Sequence, residues 1–232
     1  MTRSLLFITV AGSICLAQQD AGARKQDLQQ RFAEIRQSVA QNRERLRHYA
    51  WVESTEVRLK GEPKKMQQNN CRYGPDGNIQ KAPVGESSAA KKPRGLKGKI
   101  AKNKIEDIQG YMDRVGSLIS RYVPPDPEAM QSAFRTGKAS IEGSGGSGPV
   151  SLVLRDYAKP GDSVTLIFDT ATRKLRSFKV GTYLDEPKDV VNLTADFSTL
   201  ADGTNYVQQS VLDATAKSIQ IKTTNFGHHK LN

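Results

Sequence analysis

Apolar and polar residues alternate with the period of a β-strand along much of the chain. Trp51, Thr55 and Val57 fall on one side of such a strand, and the residues between them fall on the other. Turn sequences at 60–63, 74–78, 160–162 and 202–203 separate the alternating stretches. The pattern therefore predicts about ten short antiparallel strands, nine of which are located near residues 51–59, 66–73, 79–84, 150–154, 164–168, 178–180, 191–197, 204–212 and 218–224.

Three other stretches have the helical period instead. The first, residues 21–50, has a narrow apolar stripe formed by Leu28, Phe32, Ile35, Val39, Leu46 and Tyr49. The second has a broad apolar face formed by Ile105, Ile108, Met112, Val115, Ile119 and Tyr122. A short third helix begins at Pro127 with Asp126 as its N-cap and ends before Gly137. We expect an α+β fold in which these three helices cover the apolar face of a curved antiparallel sheet.

The N-terminus has the pattern of a secretory signal peptide. A basic start at Arg3 precedes an apolar run over 4–16, and the small residues Cys15 and Ala17 occupy the −3 and −1 positions of the predicted cleavage site after residue 17. The run is shorter than the roughly 20 residues of a spanning helix. Cleavage would leave Cys71 as the only cysteine, either a buried side chain or a free thiol. We favour burial, because an exposed thiol in an oxidising compartment outside the cytoplasm would promote dimers.

The charge of the chain is unevenly distributed. The sequence has 35 Lys+Arg against 24 Asp+Glu, a net charge of +11, and residues 1–125 contain all of this excess. Residues 85–104 are predicted to form a mobile basic loop, whose cations are Lys91, Lys92, Arg94, Lys97, Lys99, Lys102 and Lys104. An exported protein meets anionic lipids and acidic polymers rather than nucleic acid, so we expect no nucleic-acid partner.

The sequence contains no pattern typical of a catalytic or metal site. The three histidines, His48, His228 and His229, lack metal-ligand spacing, and no Gly-x-Ser-x-Gly sequence occurs. The glycine-rich sequence at 143–148 matches a dinucleotide-binding pattern, but Pro149 leads into a strand rather than a helix. We interpret it as a hairpin loop and expect no catalytic residue, no metal and no cofactor.

The order of these elements resembles the bacterial periplasmic outer-membrane lipoprotein carrier superfamily, which performs lipoprotein sorting and includes a related envelope-stress sensor. The resemblance rests on His48-Tyr49-Ala50-Trp51, Lys60-Gly61-Glu62, Tyr73-Gly74-Pro75-Asp76-Gly77, the strand from Asp162 to Asp169, and Asp202-Gly203. It implies an unclosed β half-barrel whose helices cover an apolar cavity for acyl chains. It assigns no individual ligand contact.

These observations favour a non-catalytic, monomeric periplasmic carrier of a lipid or lipoprotein acyl chain or another apolar ligand. Its single domain covers 18–226 and is followed by a disordered tail over 227–232. The predicted cavity residues are Trp51, Val57, Met112, Ile119, Leu152, Leu154, Leu166, Phe168, Phe178 and Val180. One alternative is a sheet packed solidly on its helices with no cavity. Another is an interaction module that binds an anionic envelope component through residues 91–104 and the first helix.

Overall fold

The computed structural model describes residues 37, 39–85, 96–143, 148–172 and 174–231, and over 96–104 it describes the backbone alone. The predicted signal peptide, most of the first predicted helix, and Lys91, Lys92 and Arg94 lie outside the described residues. Residues 39–46 are helical, and Tyr49 and Ala50 already belong to the first strand. The first helix therefore ends earlier than the predicted residue 50.

One antiparallel sheet of ten strands forms the body of the described chain, in the order β3-β2-β1-β10-β9-β8-β7-β6-β5-β4. It confirms the α+β class and the unclosed half-barrel, because β3 and β4 form two separate edges. The strands are β1 Tyr49–Leu59, β2 Glu62–Tyr73, β3 Ile79–Pro83, β4 Ala139–Glu142, β5 Val150–Arg155, β6 Ser163–Asp169, β7 Lys174–Tyr183, β8 Val190–Thr199, β9 Asn205–Ala214 and β10 Ile219–Lys230.

Two parts of the sheet differ from the prediction. Strand β4 was not predicted, because its four residues are too few to show an alternating pattern; it pairs with β5 across the glycine-rich sequence, which confirms the hairpin. The prediction of a disordered tail is wrong for residues 227–230, which extend β10 along β1 as far as the pair Tyr49 and Lys230. Pairing with β1 orders the polar end of β10, and the sequence pattern of β10 alone does not reveal this pairing.

The long helix α1 spans Leu96–Ile119. The prediction of a loop over 85–104 is therefore wrong for residues 96–104, since lysine and alanine are good helix formers and a basic run does not end a helix. The buried stripe of α1 and the turn after it consists of Tyr111, Val115, Leu118 and Tyr122. Ile105, predicted to face inward, is exposed.

Helix α1 crosses one end of the sheet and is bound there by polar contacts to three strand connections. Asp107 pairs with Lys217 of the β9–β10 connection at 2.9 Å. The Tyr111 hydroxyl donates to Asp189 of the β7–β8 connection at 2.7 Å. The Tyr122 hydroxyl, just beyond α1, donates to Asp162 before β6 at 2.6 Å. These contacts hold α1 against the end of the sheet that has the β5–β6, β7–β8 and β9–β10 connections.

Helix α2, Pro127–Arg135, begins as predicted. The Asp126 side chain accepts a hydrogen bond from the Glu128 amide at 2.9 Å, and proline occupies the first helical position. Gly137 follows the helix with a φ of 70°, which favours glycine. The helix packs beside β4 and β5, so it lies at the β4 edge of the sheet.

Candidate ligand-binding face of the sheet

The strand pairing aligns one apolar residue from each of seven strands in a single line across the sheet. Directly paired residues of adjacent strands share a face, so these seven side chains lie on the same side, which we call the inner face. The line, called the apolar row, consists of Val57 in β1, Ile221 in β10, Leu212 in β9, Leu193 in β8, Val180 in β7, Val164 in β6 and Leu154 in β5.

Burial changes along the apolar row. Leu154, Val164 and Val180 are buried. The other four members, Val57, Ile221, Leu212 and Leu193, are only half-buried. The β5–β7 part of the row is therefore a packed core, while the β8–β1 part retains accessible apolar surface.

The inner face is buried on the side of the row where α1 crosses. Ile219, Ala214 and Val191, two residues from the row along β10, β9 and β8, are all buried. An open depression of about 410 Å³ adjoins this position and includes Ala214 and Ile219 in its wall. Its other lining residues are Arg58, Gly61, Asp213, Thr215, Ser218 and Gln220. The predicted cavity residues do not line this depression.

The inner face is polar on the other side of the row in β1, β9 and β10. Thr55, Thr223 and Ser210 are in register there, and the Thr55 and Thr223 hydroxyl oxygens are 3.5 Å apart. The same line continues as Phe178, Leu166 and Leu152 in β7, β6 and β5. The inner face thus has an apolar part toward β5 and a mixed part toward β1.

An ion pair between a buried carboxylate and a half-exposed lysine lies in the mixed part. Lys81 of the edge strand β3 reaches Glu53 of β1, with its Nζ at 2.6 Å and 2.7 Å from the two carboxylate oxygens. The Glu53 side chain is 11% exposed and the Lys81 side chain 47%. Both oxygens of the Glu53 carboxylate therefore accept hydrogen bonds from the Lys81 ammonium group, and the pair offers no free charge to a ligand.

The free cysteine Cys71 lies between Trp51 and Lys81 in the strand pairing and is 1% exposed, which confirms its predicted burial. Burial raises the pKa of the Cys71 thiol, and the negative charge of Glu53 raises it further. The thiol therefore stays protonated at neutral pH, and a protonated buried thiol is a poor nucleophile.

Aromatic contacts bind the end of β10 to its neighbours. Trp51 stacks on His228 with ring centroids 5.9 Å apart, and His228 contacts Tyr206 at 4.1 Å. Burial lowers the pKa of His228, and the neighbouring His229 lowers it further.

In the described part of the chain, no group of three or more His, Cys, Asp or Glu side chains is placed to hold a metal ion.

All eight strand residues predicted to line a cavity lie on the inner face. Val57, Val180 and Leu154 belong to the apolar row, and Leu152, Leu166 and Phe178 form the line beside it. Trp51 and Phe168 follow on the same face by strand alternation. Met112 and Ile119 are half-buried and flank the buried stripe of α1. Their contact with a ligand stays a prediction.

Sequence reasoning missed Ile221, Leu212 and Leu193, and also Lys65. Lys65 is the β2 partner of Val57, so it stands at the β1 end of the apolar row. It is exposed, and among the described residues β3 pairs with β2 only from Asn69 onward. Assigning these residues to one line requires the strand pairing, which alternation along a single strand does not supply.

The basic segment lies at the start of α1. Lys97, Lys99, Lys102 and Lys104 fall within the first nine residues of this helix, and its first turn contains no acidic residue. This charge distribution is the reverse of the one that the helix dipole favours. The first turns of α1 therefore present a basic sequence at a partly positive helix end.

Comparison with family models, with curated proteins and with solved structures finds no match to this chain. No helix in the described part of the chain combines the length and the apolar character needed to cross a membrane.

Proposed function

We propose that the protein is a non-catalytic periplasmic carrier that shelters an acyl chain or another apolar ligand on the inner face of its half-barrel. The observation that supports this proposal is the half-buried part of the apolar row, Val57, Ile221, Leu212 and Leu193. An acyl chain lying along these residues would replace water over a continuous apolar strip. The buried part of the row borders the β8 end of that strip.

The alternative of a solidly packed sheet agrees with the buried residues in β5, β6 and β7. It does not explain why the members of the row in β8, β9, β10 and β1 are only half-buried. Burial of a methylene contributes about 0.8 kcal/mol, which corresponds to about a fourfold gain in affinity. A carrier should therefore bind saturated ligands more tightly with each added methylene until the strip is filled. A solid scaffold should show no such dependence on chain length.

Lipid extraction of the purified protein followed by mass spectrometry tests the proposal, together with titration of a fluorescent fatty acid. We expect a co-purified lipid and saturable binding of the probe. Absence of lipid from the extract together with absence of probe binding would refute a carrier function.

A pair of variants localises the binding. Leu212→Asn places an amide in the apolar row and should weaken probe binding about 5- to 150-fold, since an unpaired polar group in an apolar contact costs about 1–3 kcal/mol. Val211→Asn makes a similar change on the opposite face of β9, where Val211 pairs with Thr194 and Lys222. The control should bind like the unmodified protein, and equal losses in both variants would place the binding elsewhere.

A second candidate function is binding to an anionic envelope surface, and the basic first turns of α1 favour it. Attraction between exposed charges is screened over a Debye length of about 8 Å at physiological ionic strength. Replacing Lys97, Lys99, Lys102 and Lys104 with Gln should therefore weaken binding to phosphatidylglycerol vesicles at low salt. Vesicle binding that survives both this variant and high salt does not depend on charge.

A further inference from the structure

We propose that the ligand of the apolar row is a fatty acid whose carboxylate pairs with the exposed Lys65 at the β2 end of that row. This inference rests on the proposed carrier function and adds the chemical class and the orientation of the ligand. It follows from the position of one lysine relative to the row and from the pairing of the charges around it.

Lys65 is the residue at which the apolar row meets solvent. It pairs with Val57, and from there the row continues through Ile221 and Leu212 to Leu193. Adjacent strands are about 4.8 Å apart, so the four intervals from Lys65 to Leu193 span about 19 Å. A single extended acyl chain can follow this line with one end at the lysine and the other near the buried core.

The charges around Lys65 are already paired, whereas Lys65 makes no ion pair with any described carboxylate. Glu62 pairs with Lys64 at 2.5 Å, and Glu53 pairs with Lys81 at 2.6 Å. Lys65 therefore supplies one surplus positive charge at the end of an apolar strip. One ammonium group matches a singly charged carboxylate, while a doubly charged phosphate would require more cations than this position offers.

The exposed position of Lys65 fits an ionised headgroup. Lys65 lies outside the stretch of β2, Asn69 to Tyr73, that pairs with β3 in the described part of the chain. A carboxylate placed there keeps most of its hydration and avoids the large cost of burying a charge. The chain would thus lie with its polar end outside and its methyl end toward Leu193.

Displacement of a fluorescent fatty-acid probe by dodecanoate, 1-dodecanol and dodecyl phosphate tests the inference on the full chain at low salt. Lys65→Gln should weaken dodecanoate binding about two- to fivefold, the range for an exposed ion pair, and should leave 1-dodecanol unchanged. Lys65→Arg should retain dodecanoate binding. Lys222→Gln is the matched control, because Lys222 follows Ile221 on β10 and faces the opposite side of the sheet.

The outcomes separate the two proposals. If none of the three ligands displaces the probe and the probe itself fails to bind, the carrier function fails and the fatty-acid assignment fails with it. If the ligands bind but Lys65→Gln changes nothing, or if Lys222→Gln has the same effect, the carrier function stands and the assignment to Lys65 is overturned. A larger loss for dodecyl phosphate than for dodecanoate overturns the choice of a carboxylate.

Discussion

Replacement of Tyr122 by phenylalanine tests how α1 is held on the sheet. The side chain of Tyr122 is 0% exposed, and its hydroxyl donates to Asp162 Oδ2 at 2.6 Å. The same hydroxyl lies 2.9 Å from the Thr182 hydroxyl. Asp162 is 2% exposed and also accepts the backbone amides of Tyr157, Ala158 and Lys159 at 2.5, 3.0 and 2.9 Å. Tyr122 thus completes the coordination of a buried carboxylate.

The expected loss follows from what remains after the hydroxyl is removed. A hydrogen bond to a charged group contributes about 1.5–3 kcal/mol, and Asp162 keeps three amide donors, so we expect a loss of about 2 kcal/mol in the free energy of unfolding. For a chain of this size that loss lowers the Tm by about 4–8 °C. The phenyl ring still fills the site, so packing contributes little to the change.

Urea unfolding monitored by tryptophan fluorescence measures this loss directly, because the chain has one tryptophan and Trp51 is 7% exposed in the sheet. Tyr183→Phe is the control, since the Tyr183 hydroxyl donates to the Pro160 carbonyl at 3.0 Å in an exposed position. We expect the control to lose no more than about 0.5 kcal/mol. A Tyr122→Phe variant as stable as this control would refute the assigned contribution of the hydroxyl.

The same variant has a signature at alkaline pH. Burial raises the pKa of Tyr122 above its ordinary value of 10.0, and the hydrogen bond to Asp162 raises it further. The folded protein therefore holds a proton that the unfolded chain releases, so this stabilisation is complete below pH 10 and is lost as the pH rises above 10. One such group contributes a slope of about 1.4 kcal/mol per pH unit, which Tyr122→Phe should remove. Tyr111, whose pKa is also raised by burial, leaves a residual slope.

Two further predictions concern the mixed part of the inner face. Lys81→Met leaves the Glu53 carboxylate buried without its partner and should cost about 1–3 kcal/mol in urea unfolding, whereas adding Glu53→Gln to that variant should restore part of the loss. An equal or greater loss in the double variant would show that the charge of Glu53 is not the cause. In a chain carrying Cys15→Ser, Cys71 should react with a thiol reagent much faster in urea than in the native state, and equal rates would contradict its burial.

Alternation along single strands was enough to predict most of this fold. It located nine of the ten strands, and the N-cap at Asp126 was confirmed by its hydrogen bond to Glu128. The predictions failed where contacts with residues distant in the sequence outweigh the local pattern of apolar and polar residues. The end of β10 is ordered by β1, and the buried stripe of α1 passes through Tyr111 because Asp189 holds its hydroxyl. Local sequence contains neither partner.

The apolar row could not be predicted from the sequence for a further reason: it depends on the register of every strand pair, and β-bulges shift that register. A shift of one residue in pairing moves every side chain of a strand to the other face, so a row across seven strands requires each pairing to be known. The pairings within the row are regular, and the irregularities at Ile167/Phe168 and Asp196/Phe197 lie to one side of it. The irregularity between Val57 and Arg58 adjoins the row, and it places Lys65 rather than Lys64 opposite Val57. The charge at the end of the row is therefore set by a bulge, and the alternation of β2 alone does not predict it.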